Sequence, residues 1–352
     1  MKKKGSISSP GRICLFGEHQ DYLGLPVIPM AINKRLKLYY QLNENPIHVL
    51  FRSYQVNHTE NMTYAQKPIK FGSVYNYLIA VFNYFWDQMD QKNISKIIID
   101  SEIPIRAGLS SSAALLVATT FLFSNILNQK YSLEEIAEIA YFCEHEILGV
   151  SCGRMDQYAS SLGGIFHMTP HRIPEIIPLN LNLEAFFVIG DSNVERKADV
   201  PLKTVQESIF NALYILKNPN LLDLDLRGNQ IKYLPKNLRK KLLGVIGVRN
   251  NTRKAFDELK KKKQDLEYIG YLISEQQNLL KNNYEVSHPM LDKMCEISEI
   301  NGALGAKLTG AGFGGCMFAL CADRSTALKI NTKLQDIGTS FITKIDSGVR
   351  ED

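Results

Sequence analysis

The sequence predicts a mixed α+β chain built from two domains. Its 352 residues exceed what one hydrophobic core usually holds and fit two compact domains. Strand-like and helix-like segments alternate in the first half, whereas the second half is mostly helical and ends in two strand candidates at 316–321 and 340–345. The stretch 170–178 is rich in proline and polar residues, so we place the boundary just beyond it and expect domains at 1–180 and 181–352.

The individual elements follow from local patterns. Runs of apolar and β-branched residues predict strands at 35–41, 47–53, 96–100 and 186–189. Apolar side chains recur at helical spacing over 74–89, and helical composition also extends from 115 to about 127. The string SLEE at 132–135 is a capping box that starts a further helix. Strands and helices therefore alternate in the N-terminal domain.

Composition and charge exclude several classes of function. The chain is 45% hydrophobic and 22% charged, as in an ordinary soluble protein, and its net charge of +5 is too mild for a nucleic-acid-binding surface. Six cysteines without a C-x-x-C pair indicate free thiols in a reducing compartment. The N-terminus has no apolar signal segment, and polar residues interrupt the apolar stretch 113–127. We therefore expect a cytoplasmic protein without nucleic-acid or membrane partners.

The most informative part of the sequence is the string PIRAGLSSSAA at 104–114, between the predicted strand at 96–100 and the helix that follows. Unpaired backbone N–H groups and the positive end of the helix dipole can bind phosphate at such a helix start. Gly108 allows close approach, and the three serines offer hydroxyls to phosphate or to a magnesium ion. The alternative is an ordinary serine N-cap on a buried helix.

Two further glycine-bearing segments stand near the ends of the chain. They read SPGRICLFGEHQDYLG at 9–24 and KLTGAGFGGC at 307–316. The second contains G-x-G-x-x-G, but a dinucleotide-binding fingerprint needs a strand before it and a helix after it. Here a strand candidate follows, so we expect a glycine hairpin.

Together the three segments resemble the sequence motifs of the GHMP kinases, named for galactokinase, homoserine kinase, mevalonate kinase and phosphomevalonate kinase. The string GEHQDY at 17–22 resembles galactokinases in particular, and EHEILGVSCGRMDQ at 144–157 and YEVS at 284–287 agree. The resemblance implies the two-domain GHMP kinase fold, with an N-terminal α/β domain of the ribosomal S5 domain 2-like type and a C-terminal α+β ferredoxin-like domain. It also implies ATP-dependent phosphorylation of the anomeric hydroxyl of a monosaccharide, galactose or a related sugar. We expect a monomer or a homodimer.

Asp156 is the strongest candidate for a catalytic residue. Phosphoryl transfer to a sugar hydroxyl needs a carboxylate that accepts or orients the hydroxyl proton, and by resemblance galactokinases carry that aspartate at Asp156. Arg12 is its natural partner, because a fixed cation favours the ionised carboxylate and offsets charge on the transferred phosphoryl group. The alternatives are a helix cap for Asp156 and a surface position for Arg12.

Glu18, His19 and Asp21 form a dense polar cluster that suits a sugar, whose hydroxyls both donate and accept hydrogen bonds. The same residue types can hold a metal ion, although their spacing does not fit a helical pair of ligands. The resemblance implies that these three residues bind sugar hydroxyls together with Gly153 and Asp156.

The resemblance also assigns the ATP and magnesium sites. Magnesium needs hard oxygen ligands beside the phosphates, and Ser112 and Glu144 are the candidates. Glu146 is an alternative to Glu144, and Glu144 could instead be one of several charges on a helix face. The residues expected to contact ATP are Pro104, Gly108, Leu109, Ser110, Ser111, Ser112, Ala113, Gly310 and Gly312.

Two departures from the galactokinase pattern concern the substrate. Cys14 replaces the usual asparagine of the first motif, and 200–205 lacks the tyrosine that usually contacts the sugar, with Lys203 near that position. A lysine there would favour an acidic sugar such as a uronic acid. A non-catalytic sugar sensor and a kinase for a non-sugar alcohol such as mevalonate are the other open functions. The intact serine run argues against the first, and the polar cluster at 18–21 argues against the second.

Overall fold

A computed structural model describes residues 4–42, 48–53, 57–61, 75–85, 88, 96–181, 185–194, 199–217, 219–224 and 231–352. Two units interleave along the chain. Unit 1 comprises Met1–Arg12, Met30–Gly164 and Ile345–Asp352, and unit 2 comprises Ile13–Pro29 and Ile165–Lys344. The predicted division at residue 180 does not coincide with these units, because 13–29 group with the second and 345–352 with the first.

Unit 1 is built on a β-sheet. These are β1 Lys4–Phe16, β2 Ile28–Gln41, β3 His48–Ser53, β4 Asn57–Asn61, β5 Lys96–Ser101 and, at the C-terminus, β12 Arg350–Glu351. They lie in the order β12-β1-β2-β5-β3-β4, with β5 antiparallel to β2 and parallel to β3. Residues 13–16 of β1 and 28–29 of β2 already belong to unit 2. The strands predicted at 35–41 and 96–100 are confirmed, as is 48–53 of the strand predicted at 47–53, whose residue 47 lies outside the described residues.

The helices of unit 1 are α1 Tyr75–Phe85, α2 Ser111–Ile126, α3 Leu133–Phe142 and α4 Met155–Leu162, with a π-helical turn Cys143–Ile147 between α3 and α4. α2 contacts α1, α3 and α4, which explains its apolar composition on nearly every side. The predicted capping box is confirmed, since Ser132 Oγ accepts from the N–H of Glu135 at 3.2 Å and the Glu135 carboxylate accepts from the N–H of Ser132 at 2.7 Å. Local sequence thus fixes the start of α3.

Unit 2 contains an antiparallel sheet in the order β11-β8-β10-β9, formed by β8 Phe186–Asp191, β9 Gly305–Leu308, β10 Cys316–Cys321 and β11 Thr339–Thr343. β6 Ile165–Thr169 and β7 Glu175–Leu179 form a hairpin. The helices are α5 Asp199–Ile215, α6 Lys236–Leu259, α7 Leu266–Leu279, α8 Pro289–Ile300 and α9 Arg324–Gln335. The predicted strand at 340–345 lies at 339–343, and those at 186–189 and 316–321 are confirmed.

The apolar faces of α8 and α9 pack against this sheet, with Met294, Ile330 and Leu334 fully buried. Within the described ranges, no helix is long and apolar enough to cross a membrane.

Candidate active site

The loop between β5 and α2 has an alternating backbone. Arg106, Gly108 and Ser110 have φ angles of +58°, +89° and +64°, and the two residues between them are not left-handed. Such alternation turns successive N–H groups toward one side and forms a concavity that suits an anion. Ser110 stands at the N-cap of α2, yet its side chain makes no cap hydrogen bond, and its buried hydroxyl has no partner in the described part of the chain. The ordinary N-cap alternative is therefore wrong.

Arg12 joins this loop to the start of α4. Its Nε and Nη2 donate to the two carboxylate oxygens of Asp156 at 2.8 and 2.7 Å, and its Nη1 donates to the carbonyl of Gly108 at 2.5 Å. The arginine side chain is 4% exposed and the aspartate 31%. A buried bidentate arginine fixes the orientation of a carboxylate, while the exposed part of Asp156 stays open to a substrate.

The two simpler alternatives for this pair do not hold. Asp156 is the second residue of α4, whose N-cap is Arg154, so its carboxylate does not cap the helix. Arg12 is buried and is not a surface residue.

The carboxylate of Glu144 lies near the same pair. Glu144 belongs to the π-helical turn after α3, is 5% exposed and accepts a hydrogen bond from Gln157 Nε2 at 2.6 Å. Burial raises the pKa of Glu144 to about 7, and the charge of Asp156 also raises it, while hydrogen bonds from Ser112 and Gln157 lower it. The turn therefore holds a buried carboxylate beside the start of α2.

The donor set at this point fits a magnesium ion. Ser112 and Glu144 supply a hydroxyl and a carboxylate oxygen, and the raised pKa of Glu144 reflects buried negative charge that a cation would compensate. Glu146 differs, because its side chain is 59% exposed and lies 3.8 Å from His145 Nε2. The described residues contain no group of three or more His, Cys, Asp or Glu that could hold a metal alone. That agrees with an ion that takes further ligands from phosphates and water.

In unit 2, the first residue of the predicted polar cluster is part of a buried network. Glu18 accepts hydrogen bonds from Lys307 Nζ at 3.1 Å and from the N–H of Gly310 at 3.0 Å. Both side chains of this ion pair are almost completely buried. Glu18 is therefore held from two sides by the segment that carries the third motif.

The rest of the cluster lies in the turn at 18–20 and at the start of a short 3₁₀ helix, Asp21–Leu23. His19 has a φ of +63° and stacks on Tyr284, with 5.5 Å between ring centroids. Gln20 Nε2 donates to the Tyr284 hydroxyl at 2.7 Å, and Asp21 accepts from the N–H of Tyr22 at 2.9 Å. Within the described ranges, no group of three or more His, Cys, Asp or Glu that could hold a metal ion occurs here.

Residues 309–315 form a hairpin between β9 and β10, as predicted. Gly312 has a φ of +78°, and a Cβ there would lie 2.1 Å from the carbonyl oxygen of Val286. The N–H of Phe313 donates to the same carbonyl at 2.7 Å. Since a strand follows and no helix begins there, the dinucleotide-binding alternative is excluded.

Comparison with known proteins identifies the family. Residues 2–40 match the galactokinase galactose-binding signature, 76–164 the GHMP kinases N terminal domain and 253–339 the GHMP kinases C terminal model. A galactokinase of Thermotoga maritima is 30% identical over 332 residues, which cover 89% of this chain and 88% of that relative. This chain belongs to the GHMP kinases. A galactokinase of Glaesserella parasuis is 28% identical over 340 residues, or 90% of this chain and 84% of the relative.

Solved structures confirm the GHMP kinase fold. A Lactococcus lactis galactokinase complexed with galactose superposes with a TM-score of 0.85 at 24% identity, covering 99% of this chain and 95% of that chain. An L. major mevalonate kinase in complex with R-mevalonate gives 0.74 at 19% identity, covering 99% and 98%. Sugar and non-sugar kinases therefore share this fold, and the fold alone does not select the substrate.

The remaining predicted residues of this GHMP kinase differ in burial. Among those in the loop before α2 and in its first turn, Pro104, Leu109 and Ala113 are buried. Gly108, Ser111 and Ser112 are partly exposed. Gly153 lies in the turn before α4, and Lys203 is exposed on α5. The structure does not join either residue to the groups described above.

Three buried residues each contact a predicted site residue, and the sequence of this GHMP kinase did not single them out as functional. Gln157 contacts Glu144, Lys307 contacts Glu18, and Tyr284 contacts His19. The available signal was weak: Lys307 is a lysine between Ala306 and Leu308 on an otherwise apolar strand.

Proposed function

We propose that this GHMP kinase transfers the γ-phosphoryl group of ATP to the anomeric hydroxyl of galactose or a closely related sugar, giving a sugar 1-phosphate and ADP. The observation that carries the proposal is the bidentate contact of Arg12 with Asp156, tied to the Gly108 carbonyl in the loop before α2. Relatives named galactokinase and the match of residues 2–40 to the galactose-binding signature support a sugar as acceptor.

In this proposal Asp156 accepts or orients the proton of the anomeric hydroxyl while the hydroxyl oxygen attacks the γ-phosphorus. The bond from that phosphorus to the bridging oxygen breaks, and ADP leaves with its electron pair. Arg12 holds the carboxylate in a fixed direction, and its charge offsets the charge on the transferred group.

The loop before α2 binds the ATP phosphates in this proposal. N–H groups and hydroxyls of Gly108, Ser110, Ser111 and Ser112 contact phosphate oxygens, and the buried side chains of the loop hold its shape. Gly310 and Gly312 in the hairpin support the nucleotide. Ser112 and Glu144 hold a magnesium ion, which when bound neutralises phosphate charge.

Glu18, His19 and Asp21 bind sugar hydroxyls in this proposal, together with Gly153 and Asp156. A carboxylate has about four lone-pair sites and can accept from several donors at once. The exposed Lys203 gives an acidic sugar no additional support, and that substrate stays a prediction. The cytoplasmic location and the monomeric or dimeric state also stay predictions.

The test is ADP release with Mg-ATP across galactose, N-acetylgalactosamine, arabinose, fucose, glucuronate, galacturonate and mevalonate. Asp156→Asn removes the charge at constant shape, and Glu134→Gln, an exposed carboxylate on α3, is the matched control. We expect turnover of galactose or a close relative, lost in Asp156→Asn and kept in the control. Saturable binding of sugar and ATP without turnover would support the sensor, and turnover of mevalonate alone would support the non-sugar kinase.

A further inference from the structure

Lys307 is a fully buried lysine of unit 2. It lies on β9 opposite Phe318 of β10, with Nζ 5.2 Å from the ring centroid. Burial of an ammonium group is unfavourable unless the group is paired and hydrogen-bonded. Nζ donates to the carbonyls of Cys14 at 2.8 Å and Leu308 at 3.0 Å and to the Glu18 carboxylate at 3.1 Å. These contacts match the three donors that an ammonium group offers.

Glu18 extends this network to the glycine hairpin. Its Oε2 accepts from Lys307, and its Oε1 accepts from the N–H of Gly310 at 3.0 Å. Beside it, the N–H of Cys14 donates to the hydroxyl of Thr309 at 2.9 Å. The network therefore connects the first motif to the third, although Glu18 and Lys307 are 289 positions apart in sequence.

We propose that Lys307 is a positioning residue that orients the Glu18 carboxylate and, through it, the hairpin at Gly310. The inference rests on the proposed function, in which these two segments bind substrates. Lys307 has no exposed surface and so acts through Glu18, without touching a substrate. Both carboxylate oxygens are thus held in a fixed direction by protein donors.

Two variants separate positioning from charge. Lys307→Met keeps the aliphatic length of the side chain and leaves the buried Glu18 carboxylate without its cation. The double variant Glu18→Gln/Lys307→Met carries no charge at this pair, and its glutamine amide oxygen can still accept from the N–H of Gly310. Replacement of a buried ion pair by a neutral pair is often tolerated, whereas removal of one partner is not.

The experiment measures Tm and, below the lowest Tm, kcat and KM for galactose and for ATP in Lys307→Met, in the double variant and in Glu18→Gln alone. Lys254→Met, a 52% exposed lysine of α6, is the control. We expect Lys307→Met to lose about tenfold or more in kcat/KM for galactose, because a charged hydrogen bond is typically worth that factor. KM for galactose should rise more than KM for ATP. The double variant should recover Tm, and its kcat/KM should lie within about threefold of that of Glu18→Gln alone, because Lys307 acts through Glu18.

Several results would overturn the positioning role of Lys307. Unchanged kinetics in a Lys307→Met protein of lowered Tm would make Lys307 merely structural and overturn the proposal. A double variant that loses about tenfold or more in kcat/KM relative to Glu18→Gln alone would overturn it too, because the ammonium would then act independently of Glu18. If Lys307→Met does not fold, the comparison of the double variant with Glu18→Gln decides. A wild type without turnover of any sugar defeats the proposed function instead, and recovery of Tm in the double variant then tests the coupling.

Discussion

Glu144 should make the stability of the metal-free protein fall as pH rises. A glutamate in the unfolded chain titrates near 4.5, whereas burial raises the pKa of Glu144 to about 7 in the folded protein. Between these values the folded state binds more protons than the unfolded state, so the free energy of unfolding decreases with pH. A difference of about 2.5 pH units at about 1.36 kcal/mol per unit gives about 3 kcal/mol. This contribution is fully present below pH 4.5 and lost above pH 7.

Thermal unfolding in magnesium-free buffer at pH 5 and pH 8 measures the effect. Glu144→Gln cannot titrate, so the Tm of the wild type should fall relative to this variant between the two pH values. Between pH 5 and pH 8 about 2.5 kcal/mol of this contribution is lost. At about 2–4 °C per kcal/mol for a domain of 150–250 residues, the relative change is about 5–10 °C. Glu146→Gln, whose parent side chain is 59% exposed, should keep the wild-type slope.

Parallel pH curves for the wild type and Glu144→Gln would refute the reasoning, because Glu144 would then titrate alike in the folded and unfolded states.

Magnesium provides a second check on the same carboxylate. A cation at Glu144 favours its charged form, so Mg-ADP should flatten the wild-type slope. Ser112→Ala, which removes the other proposed ligand, should weaken that flattening.

Three further predictions concern the loops around the site. Gly312→Ala, with a Cβ 2.1 Å from the Val286 carbonyl oxygen, should lose about 2 kcal/mol or more in unfolding experiments, whereas Gly24→Ala, with φ +74° but open space, should lose only about 1 kcal/mol. Equal losses would argue against the close contact. Arg12→Lys keeps the charge but loses the bidentate contact with Asp156. The kcat for ADP release should therefore fall about 10- to 100-fold, while Tm changes little. Ser110→Ala removes a buried hydroxyl without a described partner, so Tm should hold or rise while KM for ATP increases; a lowered Tm would make the hydroxyl structural.

The sequence predicts those features of the fold that depend on local chemistry. The capping box at Ser132 involves two residues three positions apart, and it starts α3 as expected. β10 begins and ends at the predicted residues, Cys316 and Cys321, because the apolar run between the glycine hairpin and α9 is short and unambiguous. Ser110 shows the limit. Serine normally caps a helix, but here the carbonyls of Gly108 and Leu109 are bound by the side chain and N–H of Arg12, a contact between distant segments.

The choice between Glu144 and Glu146 also depends on tertiary structure. Both are glutamates in one short segment, and the sequence alone gives each a similar chance of binding magnesium. The π-helical turn directs Glu144 to Ser112 and Gln157, while Glu146 stays exposed. Such a turn is rare and has no clear sequence signal, so the distinction requires coordinates.

The interleaving of the two units could not be read from composition. β1 is buried without interruption from Ile7 to Phe16, and β2 is buried from Ile28 to Ile32. The burial pattern therefore shows no change at the residues where the chain passes from one unit to the other. A sequence boundary is expected where few contacts cross and the chain is exposed. The chain is buried at residue 12 and at residue 29.

The C-terminal segment 345–352 shows what the interleaving means for stability. Arg35, which is 6% exposed, donates to the Asp346 carboxylate at 2.8 Å and to the carbonyls of Ser347 and Gly348 at 2.9 and 2.8 Å. A chain ending at residue 344 leaves this buried guanidinium without those partners, which should destabilise unit 1 by about 3–5 kcal/mol. Arg35→Met in the shortened chain should restore part of the lost Tm, because it removes the unpaired charge. A shortened chain with the Tm of the full protein would contradict the argument, whereas the expected loss would mean that fragments cut at residue 180 cannot fold independently.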